Sequence, residues 1–158
     1  MDTLTLLHVA ISLIAIAAGL IVLRGLFKGD RMDGMTLIFL VFTGLTDFTG
    51  FVFFPIKGQT PALTLGAISS AVLIVCLLAR YVFGMRGVWR PVYVVTAVMV
   101  LYFNVFVLVV QSFLKVAPLH VLAPTGSEPP FAVAQGVVLL AFIVTGVMAV
   151  LRFRPRVW

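Results

Sequence analysis

Five uninterrupted apolar runs set the limits on this chain: Leu4 to Phe27, Met35 to Ile56, Leu63 to Phe83, Val92 to Val116, and Phe131 to Leu151. A bilayer core about 30 Å thick is crossed by ~20 helical residues, because backbone polar groups in lipid must be satisfied within their own segment. Each run reaches that length. Turn-forming sequences separate them, among them Lys28-Gly29-Asp30-Arg31, Lys57-Gly58-Gln59-Thr60-Pro61 and Gly84-Met85-Arg86-Gly87. The longest connection, Ala117 to Pro130, holds four of the eight prolines. Hydrophobic residues make up 63% of the 158-residue chain and charged residues 10%, against roughly half apolar in a soluble domain. This composition excludes a soluble globular enzyme, a disordered tail and a disulfide-rich module. The pattern predicts an all-α polytopic transmembrane bundle of five helices, with residues 1–158 as a single transmembrane domain.

Charge placement predicts the orientation. Arg24, Lys28 and Arg31 border the first connection, Arg80, Arg86 and Arg90 the third, and Arg152, Arg154 and Arg156 lie in the C-terminal tail. The other side has only Lys57 and Lys115. Lys and Arg accumulate on the cytoplasmic side, so the N-terminus is expected outside and the C-terminus in the cytoplasm. Tyr81, Trp89, Tyr93 and Trp158 then fall at the inner boundary, where amphipathic rings gather. Ala15-Ile16-Ala17 has the small-x-small pattern of a signal-peptidase site. The segment before it is acidic and the apolar core runs on to Phe27, so the first run is expected to stay as a helix. The net charge of +6 sits at the ends of apolar runs rather than along a polar face, so no nucleic-acid partner is expected.

A rise of ~1.5 Å per residue turns sequence position into depth. Asp47 and Asn104 each lie twelve residues along a run that starts at the cytoplasmic side, roughly 18 Å up and near the bilayer centre. Thr36, Thr43, Asp47 and Gly50 share one face of helix two, as do Asn104, Gln111 and Lys115 on helix four. Gln111, His8 and Gln135 form a further layer toward the outside. A carboxylate at mid-bilayer costs ~2.5–3.5 kcal/mol on insertion scales, so it normally faces the bundle interior. No basic residue shares the depth of Asp47, and Asn104, Thr43 and Thr46 are its expected partners. These positions predict a contact between Asp47 and Asn104 at the floor of a polar space opening outward, with Gln111, Gln135 and His8 above. That arrangement suits a proton, cation or ligand site, and equally a hydrogen-bonded pair that joins two helices.

His8 and His120 are the only imidazoles. They are the candidate ligands of a metal or haem, but neither has a second ligand at i+3 or i+4, and no metal site is expected. Cys76 reads as a small core residue. Phe39, Phe42, Phe48, Phe51, Phe53 and Phe54 suit packing or lipid contact, with an aromatic quinone pocket as the minor reading. No phosphate loop, zinc-ligand spacing or nucleophile elbow is present. An offset of 57 or 56 residues aligns Ile11-Ser12 with Ile68-Ser69, Arg24 with Arg80, Phe27 with Phe83 and Asp47 with Asn104. That alignment allows a 2+2+1 internal duplication, set against the coincidence expected of such biased composition.

His8 opening helix one, Gly19 further along it, and Thr46-Asp47-Phe48-Thr49-Gly50-Phe51 with Pro55 closing helix two resemble a group of small bacterial inner-membrane proteins. Some of that group are similar to transmembrane b-type cytochromes. The likeness covers the first two helices. It implies a bacterial inner membrane and, through the cytochrome-like members, haem b. Those members carry a further His before helix two, where this chain has Arg31-Met32-Asp33-Gly34, so no ligand role is carried over. Taken together, the sequence favours a non-enzymatic membrane protein that binds or moves a proton or small solute, or is a subunit of a larger membrane complex. Besides lipid, self-association or another membrane protein is the expected partner. No cofactor is expected; a redox protein holding haem b or quinone is the alternative.

Overall fold

The computed structural model describes residues 3–53 and 61–154. They form helices α1 (Thr3–Lys28), α2 (Asp33–Phe53), α3 (Pro61–Leu77), α4 (Trp89–Lys115), α5 (Ala117–Leu122) and α6 (Pro129–Arg152). A π-helical turn, Leu78–Val82, carries α3 on without a break. The described residues contain no strand. Five helical segments are long and apolar enough to cross a membrane: α1, α2, α3 with its π turn, α4 and α6. They agree with the five apolar runs to within a few residues. The end of the second run, Phe54 to Ile56, and the residues Lys57, Arg156 and Trp158 lie outside the described residues.

Local chemistry explains where the helices stop. α1 ends in a Schellman turn: Gly29 takes φ +71°, the Asp30 N–H donates to Gly25 O at 2.9 Å, and the Gly29 N–H donates to Leu26 O at 3.3 Å. A left-handed φ is open to glycine at no steric cost, and the two bonds satisfy carbonyls the helix end would leave bare. At the other end of the chain, Glu128 caps α6, and Pro129 and Pro130 occupy its first positions, where a missing N–H costs nothing. The long connection from Ala117 to Pro130 contains a further short helix, α5. Pro118 falls in its first turn, a position that tolerates proline. His120 therefore stands, exposed, on this short helix.

α4 is central, packing against α1, α3 and α6. The core lies mostly in the half of the bundle near the α1–α2 and α3–α4 connections. There Leu26, Phe39, Leu40, Leu73, Cys76, Ala79, Tyr93, Val94, Ala97, Leu101 and Phe153 are buried. Gly19 permits the close approach of α1 to α2 and α4: a Cβ there would lie 2.6 Å from Leu101 and 2.9 Å from Phe39. The α2–α3 seam is antiparallel, with Leu73 over Gly44, Ser70 against Asp47, and Phe51 over Gly66. Of the long helices α6 contributes least to the interior, burying only Gln135 and Ala149.

Candidate functional site

The polar residues of the interior fall into two groups. In the half near the N-terminal end of α1 and the C-terminal ends of α2 and α4, Asn104 is 8% exposed and its Nδ2 donates to Thr43 Oγ1 at 3.2 Å. Asp47, half-buried, lies one turn further along α2. Ser70 Oγ on α3 donates to its Oδ2 at 3.2 Å, and Ser69 also contacts it. Asn104 thus gives its amide to Thr43 and not to Asp47. Equal residue counts give equal depths only for helices that begin at one level. The Asn104–Thr43 bond displaces α4 against α2 by one turn, about 6 Å of helix rise.

Thr46 turns back on its own helix, donating to Phe42 O at 2.8 Å. His8 of α1 bonds through Nδ1 to Thr49 Oγ1 at 2.7 Å. The Thr49 hydroxyl donates its one hydrogen to Leu45 O at 2.7 Å, so His8 Nδ1 must carry the N–H and donate. The bond ties α1 to α2 beside Gly50, over which the imidazole packs. Gln135 donates to Phe106 O at 3.2 Å, joining α6 to α4, and its own buried Oε1 makes no hydrogen bond.

Gln111 is exposed. Asn104, Leu108, Gln111 and Lys115 follow spacings of four, three and four, so they share a face. Asn104 is buried and the other three are exposed. The α4 face that lines the interior up to Asn104 is uncovered beyond it. The Thr43–Asn104 bond lies where that cover ends. Lys115, on the α4 wall, is near enough to act electrostatically on His8. Below the Thr43–Asn104 bond the bundle is tight: the space between Gly19, Val22, Phe39 and Leu101 has no room for a water molecule.

Among the described residues, ion pairs form only between Asp33 and the two arginines Arg31 and Arg80. Asp47 therefore has hydroxyl partners and no cationic one. No group of three or more His, Cys, Asp and Glu side chains gathers among the described residues at metal-binding distance. His8 and His120 are not brought together in such a group.

The second polar group was not anticipated. Arg80 was assigned to the cytoplasmic flank of helix three, but it is 2% exposed. Its Nη2 donates to Asp33 Oδ1 at 2.5 Å and to Arg31 O at 3.0 Å, and Nη1 approaches Met85 Sδ at 3.8 Å. The guanidinium lies over the Tyr93 ring, 4.9 Å from its centroid, and beside Tyr81 at 5.6 Å. A sequence signal for this burial exists. Ser69, Leu73, Cys76 and Arg80 recur at four, three and four, one helical face, and all are buried. The π turn keeps Arg80 on that face while the chain turns toward Trp89, which stacks on Phe83 at 3.9 Å.

No protein-family model, curated protein or solved structure matches this chain.

Proposed function

We propose that this chain is a multi-pass protein of a bacterial inner membrane whose outward-opening cleft binds a proton or small solute at Asp47. In this reading the N-terminus is outside and the C-terminus cytoplasmic, with lipid against the exposed apolar faces. The five long apolar segments and the Lys/Arg asymmetry support the placement. The likeness of the first two helices to small bacterial inner-membrane proteins agrees with it.

One observation carries the functional reading: a carboxylate in the middle of a spanning helix has serine hydroxyls and, among the described residues, no counter-ion beside it. In low dielectric an unpaired carboxylate is costly, and taking up a proton or a cationic group removes the cost. The uncovered α4 face supplies the approach to it, and Thr43 and Asn104 meet at its inner end. The tight packing below them argues against a path through a single copy. The chain therefore acts in self-association or as a subunit of a larger membrane complex, presenting Asp47 to a partner or solute.

Asp47→Asn tests the proposal. The amide can still accept from Ser70, so the variant is expected to fold while losing pH-dependent proton uptake in detergent or liposomes. A well-folded Asp47→Asn protein with the proton uptake of the parent would reduce Asp47 and Ser70 to inter-helix packing.

A further inference from the structure

We infer that the Asp47 cleft is a monovalent-cation site of the sodium class, at which the cation and a proton exclude one another. This rests on the reading of Asp47 as a binding residue and adds the identity of what it binds. The groups at the site are all oxygen donors: the Asp47 carboxylate and the hydroxyls of Ser70 and Ser69 on the facing turn of α3. Carboxylate, hydroxyl and water oxygens suit hard cations, while imidazole and thiolate select softer ones. Cys76 lies nearly two turns further along α3 from Ser70 and His8 is engaged with Thr49 on the α1 side of α2, so neither supplies a soft ligand here.

Charge decides between one and two positive charges. The site offers one carboxylate, so a monovalent ion leaves it neutral. A divalent ion would leave a net charge in low dielectric, where an uncompensated charge costs several kcal/mol. Charged groups on the elements packed around the outer half of α2 are His8 on α1 and Lys115 on α4; α3 brings only hydroxyls. Lys115 lies eleven residues beyond Asn104, about 16 Å of helix rise. Asp47 stands one turn above the Asn104 level, so Lys115 is about 10 Å of helix rise above the carboxylate, and it forms no ion pair with it among the described residues. The open face above Asn104 lets water complete the coordination shell, which a carboxylate and two hydroxyls alone do not fill.

The test uses the full chain in detergent, with thermal unfolding followed in sodium chloride, potassium chloride and choline chloride at constant ionic strength between pH 5 and 9. Binding to the folded state raises the midpoint by mass action. Sodium is expected to raise the midpoint above that in choline. The sodium concentration needed should increase about tenfold for each unit by which pH falls below the carboxyl's titration. Asp47→Asn should abolish the sodium effect, and Ser70→Ala should shift it to higher sodium while leaving proton uptake in place. Equal midpoints in sodium and choline at every pH would overturn the inference, as would a sodium effect retained in Asp47→Asn or unmoved in Ser70→Ala. Loss of proton uptake in Asp47→Asn without any sodium effect in the parent would sink the cation and leave the proton site standing.

Discussion

Arg80 and Asp47 are two charged side chains on the interior faces of apolar helices, and the fold treats them in opposite ways. Arg80 is enclosed and paired with a counter-ion: a carboxylate, a carbonyl, a thioether and two aromatic rings surround its guanidinium, and only its buried Nε makes no hydrogen bond. Asp47 is half-open and answered only by hydroxyls. The lesson is that burial alone does not mark a working charge. A desolvated ion with a fixed partner holds helices together. A less buried ion without a partner remains available to something that arrives.

The largest expected effect breaks the Arg80 side of this contrast. Asp33→Asn removes the counter-ion and leaves the guanidinium enclosed. Breaking a buried pair costs about 3–5 kcal/mol, but the Asp33 side chain is 68% exposed, so a smaller loss of about 2–3 kcal/mol is expected, discounted for solvent screening. Equilibrium unfolding in mixed micelles would measure it. Adding Arg80→Met to the same variant should recover most of the loss, since the orphaned charge goes with it. A double variant as unstable as the single one would show that Arg80 contributes through its rings and carbonyl instead.

Asn104→Leu sharpens the other side. It removes the amide that bonds to Thr43, and Thr43 can turn back to its own helix as Thr46 does. A loss of about 1 kcal/mol is expected, the usual worth of an inter-helix hydrogen bond in a membrane protein. The same unfolding assay reads it, and a loss as large as that of Asp33→Asn would erase the difference between the two groups. Asp47→Asn should change stability by less than about 0.5 kcal/mol, because Ser70 keeps an acceptor. Its effect belongs in proton uptake. A large destabilisation with intact uptake would make Asp47 resemble Arg80.

The smallest effect lies outside the spanning segments, at the cap of α6. Desolvation pushes the Glu128 carboxyl up, yet hydrogen bonds from the Thr125 and Ser127 N–H groups and the Thr125 hydroxyl outweigh it and hold the group at about 2. The ordinary value is 4.5. A carboxyl depressed on folding stabilises fully above its unfolded value and loses that contribution as pH falls through its folded one. The turn at 125–128 should therefore hold above pH 4.5 and loosen toward pH 2. Hydrogen exchange at Thr125 and Ser127, corrected for intrinsic rates, would report it. Glu128→Gln should flatten the dependence.

The five long segments were legible because the length of an apolar run is a local property. Lys28-Gly29-Asp30 reads directly as a helix end, and it forms the Schellman turn its glycine permits. The interior stripe Thr36–Thr43–Asp47 was legible for the same reason: period 3.6 is written along a single helix, and Thr36 and Thr43 are both fully buried. Register between helices was not. Asn104 was matched with Asp47 by counting, and nothing in either run says where α4 begins relative to α2. Gln111 was assigned to the interior by the same periodicity, but a face is buried only where a neighbouring helix covers it, and that cover ends above Asn104. Arg80 was legible in its spacing from Ser69, Leu73 and Cys76. A charge at the end of an apolar run is so often a flank that this spacing alone does not signal burial.

The burial pattern of α4 also has a mechanical meaning. From Tyr93 to Asn104 the helix is clamped by neighbours, and beyond Asn104 the same face is unsupported. The other side of α4 is still held there, by the edge-on contact of Phe113 with Phe131 of α6 at 5.5 Å and by the bond from Gln135 to Phe106 O. The far length is thus braced on one side only, like a wall with a single buttress: load directed toward α6 is met, and load on the face of Leu108, Gln111 and Lys115 finds only the Asn104–Thr43 tie beneath it, one turn below Asp47.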